Sequence, residues 1–186
     1  MKKFELTAEY VTNIFGKKLF RIKALVEFGN VKEGDLGGFV EKESNIDDDC
    51  NAWVSGNAQV FGNAKISGNA QVFGNAQVFE NAQVYGNAWI SGNAQVYGNA
   101  CVAENLDYAI VGGFGSEQQT ITFFRQKDGS VGAKCGFFYG TLEEFRENVL
   151  ETHGESKYAQ EYLMIADLME LHFAGGSNGT EDGKNQ

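Results

Sequence analysis

Histidine is scarce in this 186-residue chain, which has only His153 and His172. Neither lies in the repetitive tract that runs from Asn45 to Asn105. Histidine is the commonest general base in enzymes, and clustered histidines are common metal ligands. The tract therefore has no histidine for acid–base or metal chemistry. The sequence also has no Cys-x-x-Cys or clustered His/Cys spacing, so it predicts no metal site and no cofactor.

Long apolar segments are missing as well. No run approaches the ~20 residues that a membrane-spanning helix needs, and the start, MKKFELTAEYV, lacks the continuous apolar core of a signal peptide. The three cysteines, Cys50, Cys101 and Cys135, lie far apart, which favours reduced thiols over a disulfide framework. These absences predict a cytoplasmic protein without membrane contact.

Positive charge is in deficit, because the chain has a formal net charge of −10. Affinity for nucleic acid comes mainly from Lys and Arg, so general nucleic-acid binding is not expected. Charge of either sign is almost missing from the centre of the tract, where only Lys65 and Glu80 are charged between residues 51 and 103. An acidic surface ordinarily indicates no more than solubility.

The tract repeats with a period of six residues. Asn recurs at every sixth position from Asn45 to Asn105, Ala follows it from Ala52 to Ala100, and Val or Ile comes two residues after each of those alanines. Alternation of this kind points Ala and Val to one side of a short strand. A fixed short period is typical of stacked coils. Six residues per side and three sides predict an 18-residue triangular coil, with parallel pairing at ~4.8 Å between coils.

The turn between strands contains a Gly-Asn pair, but Glu80 replaces the glycine once in the sequence QVFENAQVYGNA. Because Asn tolerates the left-handed backbone region better than other non-glycine residues, the invariant Asn is predicted to carry the unusual dihedral angle. Glycine would then be preferred at this turn only because it takes little space, and the Glu80 side chain would face solvent. Stacked Asn side chains are expected to hydrogen-bond between coils.

The spacing of residues 45–105 resembles that of the hexapeptide-repeat proteins, whose fold is a left-handed parallel β-helix. This resemblance implies a mainly β chain with about three coils. Acyltransferases of that family use a histidine from the β-helix as general base, and no residue here corresponds to it. The phrases LFRIKALVEFGNVKEGDLGGFVEKESN and CGFFYGTLEEF are also similar to a group of hexapeptide-repeat proteins encoded by bacteriophages and prophages.

The outward positions of one coil face form a ladder of glutamines beside a ladder of aromatic rings. Its members are Gln59, Phe61, Gln77, Phe79, Gln95 and Tyr97. An uncharged aromatic stripe is seldom left open to water. A subunit interface is the favoured interpretation, since hexapeptide-repeat proteins are commonly trimers. Packing against the protein's own terminal segments and a ligand groove stay open as alternatives.

Three segments flank the tract. Residues 1–44 are predicted to form an N-terminal β cap, in which Gly37-Gly38 makes a turn. Residues 106–174 are predicted to form an α+β module of three strands and two helices. The first helix is expected to begin with a capping box at Thr141 and Glu144. Residues 175–186 are predicted to be a disordered tail.

Two candidate sites lie in the C-terminal module. A Gly-rich turn with neighbouring donors and a stacking ring is a candidate anion or nucleotide site, and a plain β-turn between two strands is the favoured alternative. Its residues are Phe114, Gly115, Ser116, Thr120 and Arg125. Cys135 and His153 are weaker candidates for a catalytic nucleophile and base, and a buried strand cysteine with a helix-terminal histidine is the favoured alternative.

The functional hypothesis is a non-enzymatic phage accessory protein that binds and neutralises a host component. The target would be a defence protein, or a nucleotide immune signal held between the subunits of a homotrimer or other homo-oligomer. A divergent acyl- or other group transferase that uses residues of the C-terminal module is one alternative. A structural or assembly protein is another.

Overall fold

The computed structural model describes residues 2–175 and shows a β-solenoid of about four turns, with strands added at one end and an α+β module at the other. The mainly β fold with 18-residue coils is therefore confirmed. The predicted tail, residues 175–186, lies outside the described residues except for Gly175. Neither helix among residues 2–175 is long and apolar enough to cross a membrane.

The solenoid is built from nine two-residue strands, which pair in parallel with one another and lie in three sheets. They are β4 (Trp53–Val54), β5 (Gln59–Val60), β6 (Lys65–Ile66), β7 (Gln71–Val72), β8 (Gln77–Val78), β9 (Gln83–Val84), β10 (Trp89–Ile90), β11 (Gln95–Val96) and β12 (Cys101–Val102). Each strand pairs with the strand 18 residues away. The repeated Val and Ile side chains are fully buried. The interior is therefore the predicted narrow core of small and branched side chains.

The turn residues play different roles from those predicted. Positive φ occurs at the glycines and at Glu80, whose φ is 58°, and not at any asparagine of the repeat. Glycine also provides room, because a Cβ on Gly68 would lie 2.9 Å from the backbone nitrogen of Gly86 in the next coil. The prediction that Asn carries the unusual dihedral angle is wrong.

The asparagines instead connect the coils through their side chains. The amide of Asn51 donates to Asn69 Oδ1 at 3.2 Å, and Asn69 donates to Asn87 Oδ1 at 3.1 Å. Similar bonds link the other two corners. The predicted bonding between stacked asparagines is confirmed, and Glu80 is exposed as expected.

The N-terminal segment extends the solenoid instead of only closing it. Strands β1 (Phe4–Thr12), β2 (Lys18–Ala24) and β3 (Leu36–Val40) form an antiparallel meander, and β3 pairs in parallel with β5. Ile46 adds a bridge to Ile66 on another side. These pairings bring the solenoid to about four turns where the sequence predicts three.

Gly37 and Gly38 lie within strand β3, so the predicted turn at these residues is wrong. A Cβ on Gly37 would lie 2.4 Å from Ile22 and 2.6 Å from the carbonyl oxygen of Val54. A Cβ on Gly38 would lie 2.7 Å from the carbonyl oxygen of Ala58. The two glycines allow the strand to lie directly against the first coil.

The aromatic ladder is covered by the N-terminal strands. Phe61, Phe79 and Tyr97 are 4–8% exposed and cluster with Leu19 and Phe39. The three rings stack with centroids 4.8 and 4.6 Å apart. Rings that are buried within one chain cannot supply an exposed apolar surface to another subunit. The subunit interface predicted for these rings is therefore wrong, and the alternative of packing against a terminal segment holds.

The glutamines of the same ladder lie nearer the surface. Gln59, Gln77 and Gln95 are half-buried and pair in register along the sheet. Their outward position agrees with the alternation read from the sequence.

The C-terminal module contains four strands and two helices. Its sheet is antiparallel, in the order β13 (Tyr108–Val111), β14 (Ile121–Arg125), β15 (Val131–Cys135), β16 (Phe138–Thr141). The third predicted strand is thus two strands, because Gly136 with φ 55° turns the chain between them. Helices α1 (Leu142–His153) and α2 (Lys157–Ala174) cover one sheet face, and the capping box of Thr141 and Glu144 is confirmed.

The module also closes the open end of the solenoid. Three backbone N–H groups of the last coil donate to side chains of the following segment: Trp89 to Asn105 at 2.8 Å, Gln95 to Thr122 at 3.0 Å, and Ala103 to Asp107 at 3.0 Å. Unpaired strand edges favour pairing with other chains. Side-chain oxygens therefore accept the hydrogen bonds of backbone N–H groups that would otherwise be free to pair with a further strand.

Candidate functional site

Arg125 does not belong to an anion site. Its guanidinium Nε lies 3.0 Å from Asp107 Oδ1, and its second terminal nitrogen donates to the carbonyl oxygen of Phe173 at 2.9 Å. The side chains of Arg125 and Asp107 are only 13% and 8% exposed. The arginine joins strand β14 to the end of helix α2 and to the segment after the last coil. Its charge is therefore used within the protein.

The Gly-rich turn is also occupied by a contact of its own. The backbone N–H of Gly115 donates to Glu161 Oε2 at 3.0 Å, so it points at a carboxylate and is not free for an anionic ligand. Gly115 packs so closely on Tyr162 that a Cβ would lie 1.8 Å from its hydroxyl oxygen. The structure thus contradicts the anion site predicted from Gly115 and Arg125. Phe114, Ser116 and Thr120 remain at or near the surface.

Cys135 and His153, by contrast, are brought to the same place. Both line a hollow of about 550 Å³ at the edge of the C-terminal sheet, together with Ser116, Glu117 and Tyr162. The His153 ring lies 5.4 Å from the Tyr162 ring. Spacing in the sequence cannot predict this meeting, because it depends on how α1 packs across β15.

The electrostatics of this hollow disfavour a reactive thiolate. Burial raises the pKa of the Cys135 thiol, and although nearby Lys134 opposes that change, the carboxylate of Glu117 adds to it. A thiol with a raised pKa is mostly neutral at neutral pH and is a weak nucleophile. Within residues 2–175 no hydrogen bond joins Cys135 to His153. In the same residues no group of three or more His, Cys, Asp or Glu side chains is arranged to hold a metal ion.

Helix α2 presents an apolar stripe to solvent. Met164, Leu168 and Leu171 are 72%, 57% and 73% exposed, and their i, i+4, i+7 spacing places them on one face of the helix. The opposite face buries Tyr162, Ile165, Ala166, Met169 and Phe173 against the sheet and α1. The sequence predicts a broad apolar face on this helix, but only the structure shows which part of it the chain itself does not cover.

The two helices that include this stripe are acidic. Helices α1 and α2, with their connection, carry eight Asp and Glu residues against Arg146 and Lys157. Arg146 is held by Asp167 at 3.0 Å and by Glu170 at 2.5 Å, and Lys157 lies 3.4 Å from Glu161. Both cations are therefore paired with carboxylates of α2, and the helix pair as a whole has more acidic than basic residues.

Comparison with known proteins agrees with the architecture. A family model described as the YdcK beta solenoid repeat matches residues 82–98, which lie within the repeat tract. A search of curated proteins finds no significant match to the chain. The short match and the fold together support a β-solenoid repeat protein.

Proposed function

We propose that this chain is a non-enzymatic binding protein in which the solenoid is a rigid scaffold and helix α2 is the surface that contacts a partner protein. The exposed stripe of Met164, Leu168 and Leu171 is the observation that carries this proposal. Three large apolar side chains in a row on a well-packed helix are costly to leave in water, and such patches mark interaction sites. Apolar residues at i, i+4 and i+7 are the pattern by which helices dock.

The chemistry of the partner follows from the charge around the stripe. Carboxylates flank it, and the two cations of the helix pair are already held by carboxylates. A second copy of α2 would bring like charges together, whereas a basic segment would be attracted. We therefore expect a partner with a basic amphipathic helix, which places Leu-like side chains on the stripe and Lys or Arg beside it.

The resemblance to proteins of phages and prophages favours a bacterial host protein as that partner, with neutralisation of a host component as the outcome. This protein would then act in the host cytoplasm. A homotrimer remains a prediction, but it would need a surface other than the buried aromatic ladder.

The test is a binding measurement with the full chain and two synthetic helical peptides. One peptide carries Leu at i, i+4 and i+7 with Lys on the flanks, and the other has the same Leu positions with Glu on the flanks. The Lys peptide should bind, and added salt should weaken its binding. Leu168→Glu should reduce its affinity at least tenfold, because the substitution places a charge in the apolar contact.

A matched control is Leu106→Glu, since Leu106 is 61% exposed but lies outside α2. It should bind the Lys peptide as the unmodified chain does. The same variants then test capture of a bacterial protein by cross-linking, with cross-links expected on α2. Equal binding of the two peptides, or equal loss in both leucine variants, would contradict the proposal.

A group transferase that uses the Cys135–His153 hollow is a second candidate, because both residues line the same hollow. Turnover of an acyl donor by the purified protein, lost in both Cys135→Ala and His153→Ala, would favour it. Such turnover would also overturn the non-enzymatic proposal.

A further inference from the structure

A second surface, on the solenoid itself, has the character of a ligand site. Two open hollows, of about 410 and 400 Å³, lie side by side and share Phe73 and Trp89. One extends to Asn30 of the N-terminal segment, and the other extends to Ile110 of strand β13. We call this continuous surface the Trp89 trough. It lies on the sheet of β4, β7 and β10, on a different side of the solenoid from the buried aromatic ladder.

The N-terminal segment covers one end of the sheet of β4, β7 and β10 and leaves the other end exposed. On the same sheet, Trp53, Gln71 and Trp89 stand in register. Trp53 is 5% exposed because Phe4 and Phe28 pack edge-on against it. Trp89, two coils further along, is 54% exposed. An exposed indole on a regular, rigid sheet is a platform that a ligand can reach without a conformational change.

The platform is held in a fixed geometry. The Phe73 and Trp89 rings are perpendicular, with centroids 6.3 Å apart, and the backbone N–H of Trp89 donates to Asn105 Oδ1 at 2.8 Å. The Gln71 amide nitrogen donates to the carbonyl oxygen of Asn51 at 3.0 Å, which fixes the orientation of that side chain. Such preorganisation reduces the entropy cost of binding.

The trough is also free of charge. None of the side chains that line the two hollows is ionisable except the phenol of Tyr108. The lining consists of aromatic rings, the carboxamides of Asn and Gln, Ser91, and the small or aliphatic residues Gly29, Ala109 and Ile110. An ionic ligand would lose hydration here without gaining a counter-charge. A purely apolar ligand would need a more enclosed pocket.

The ligand class that fits is an uncharged polyol with apolar faces. Carboxamides both donate and accept hydrogen bonds, as sugar hydroxyl groups do. Asn51 and Asn69 each use one N–H within the solenoid, and the Gln71 amide nitrogen donates to two carbonyl oxygens. The second N–H of each asparagine and the remaining oxygen lone pairs are therefore what they offer a ligand. An aromatic face offers a flat apolar surface with partial negative charge, on which the C–H groups of a sugar ring can pack. The surface continues across coils that rise ~4.8 Å each, so it suits a chain of sugar units better than a single one. We propose that the Trp89 trough binds an uncharged oligosaccharide.

The test uses the intact protein and its own fluorescence. Of the two tryptophans, Trp53 is buried and Trp89 is exposed, so a bound sugar should change the emission of Trp89. Maltoheptaose, cellohexaose and chitohexaose serve as neutral probes, and a hexamer of galacturonic acid serves as the charged comparison. We expect saturable binding of at least one neutral probe and weaker or no binding of the charged one.

Substitution of single aromatic residues tests whether the Trp89 ring itself holds the sugar. Because the Trp89 variants lack the exposed fluorescent reporter, isothermal titration calorimetry measures the binding of the unmodified chain and of every variant. Trp89→Ala should weaken binding about tenfold, the loss expected when one aromatic contact is removed, and Trp89→Phe should retain part of the affinity. Phe137→Ala is the matched control, because Phe137 is a fully exposed aromatic ring outside the trough, and its binding should be unchanged. Circular dichroism checks that each variant is folded.

Three results would overturn the proposal: no response to any neutral probe, equal binding by Trp89→Ala, or equal binding of the charged hexamer. A change of molecular mass in Trp89→Ala, without any sugar response, would identify the trough as a contact between copies of this chain and would also overturn it. These outcomes are independent of the α2 measurements.

Discussion

At the scale of single residues, Glu80 separates backbone geometry from side-chain chemistry. It is exposed and has a φ of 58° at a corner where Gly62 and Gly98 occupy the neighbouring coils. A non-glycine residue loses ~1–2 kcal/mol in the left-handed region, whereas glycine costs ~0.5–1 kcal/mol more conformational entropy on folding. The first effect is larger, so Glu80→Gly should increase the free energy of unfolding by about 0.5–1 kcal/mol.

Urea unfolding measures this change, and Glu104→Gly is the control. Glu104 also stands where the repeat has glycine, but its φ is −133°. Glycine gains nothing there, so Glu104→Gly should leave stability unchanged or reduce it. Stabilisation by both substitutions would show that removal of negative charge, and not relief of backbone strain, is the cause.

Arg125 supports a second prediction at this scale. Truncation in Arg125→Ala leaves the buried carboxylate of Asp107 without its cation, and loss of one partner of a buried pair typically costs ~3–5 kcal/mol. Arg146→Ala removes an arginine from a pair with an exposed carboxylate, so it should cost at most about 1 kcal/mol. Denaturant unfolding measures both changes in stability. Because Arg125 is not part of an anion site, added phosphate should stabilise neither the unmodified chain nor the variants. Unchanged stability of Arg125→Ala would contradict the structural role.

At the scale of elements, strand β3 connects the N-terminal sheet to the solenoid. Gly37 has ordinary backbone geometry, but the space beside it is filled by Ile22, Trp53 and the carbonyl oxygen of Val54. Gly37→Ala should therefore separate β3 from the first coil and destabilise the protein by about 1–3 kcal/mol, as overpacking does. A thermal melt measures the loss.

Gly112→Ala provides the matched comparison. Its nearest neighbour would lie 3.7 Å from the new Cβ, and its φ is not positive. We expect a change within about 0.5 kcal/mol, as for an ordinary surface substitution. If the two alanine variants melted alike, close packing at Gly37 would not be what selects glycine there.

The elements also show which parts of the fold the sequence can predict. The coils were predictable because each repeat has neighbours with the same sequence, so local alternation already determines the contacts. The fate of the outward rings was not predictable in this way. Phe61, Phe73, Phe79 and Tyr85 occur in nearly identical phrases, yet Phe61 and Phe79 are buried and Tyr85 is exposed.

The difference comes from contacts that are distant in sequence. The N-terminal strands cover one solenoid side because β3 pairs with β5 there, and nothing in the phrase around Phe79 encodes that choice. The same limit applies to the candidate sites. From the sequence, Arg125 is a plausible hydrogen-bond donor to an anion, but in the structure Asp107 and Phe173 hold it. Leu168 resembles a core residue in sequence, but it is exposed because the core lies on the opposite face of α2.

At the scale of the whole molecule, one hydrophobic core runs through the solenoid into both ends. It includes Phe4 and Ile22 from the N-terminal strands and Phe124 from the C-terminal sheet. The helices contribute to a second core on the other face of that sheet. Sheet β13–β16 is therefore shared between the two cores, and it closes the solenoid at the same time as it supports α2.

This arrangement predicts that the solenoid aggregates once the C-terminal module is removed. A chain of residues 1–104 lacks the side chains of Asn105, Asp107 and Thr122, which accept hydrogen bonds from the last coil. It also loses Phe124 and Tyr139, which lie against Tyr97. Three sheet edges and an aromatic ring then become available for pairing with other chains. We expect the truncated chain to aggregate at micromolar concentrations at which the full chain remains dispersed.

Light scattering and thioflavin T binding monitor this aggregation. The same truncated chain with Gln95→Lys and Cys101→Lys should be more soluble, because lysine on an edge strand opposes edge-to-edge pairing. Both side chains are only half-buried, so the solenoid interior is left intact. A truncated chain that stays dispersed without the lysines would show that the solenoid end needs no protection. The C-terminal sheet would then serve only to carry α2.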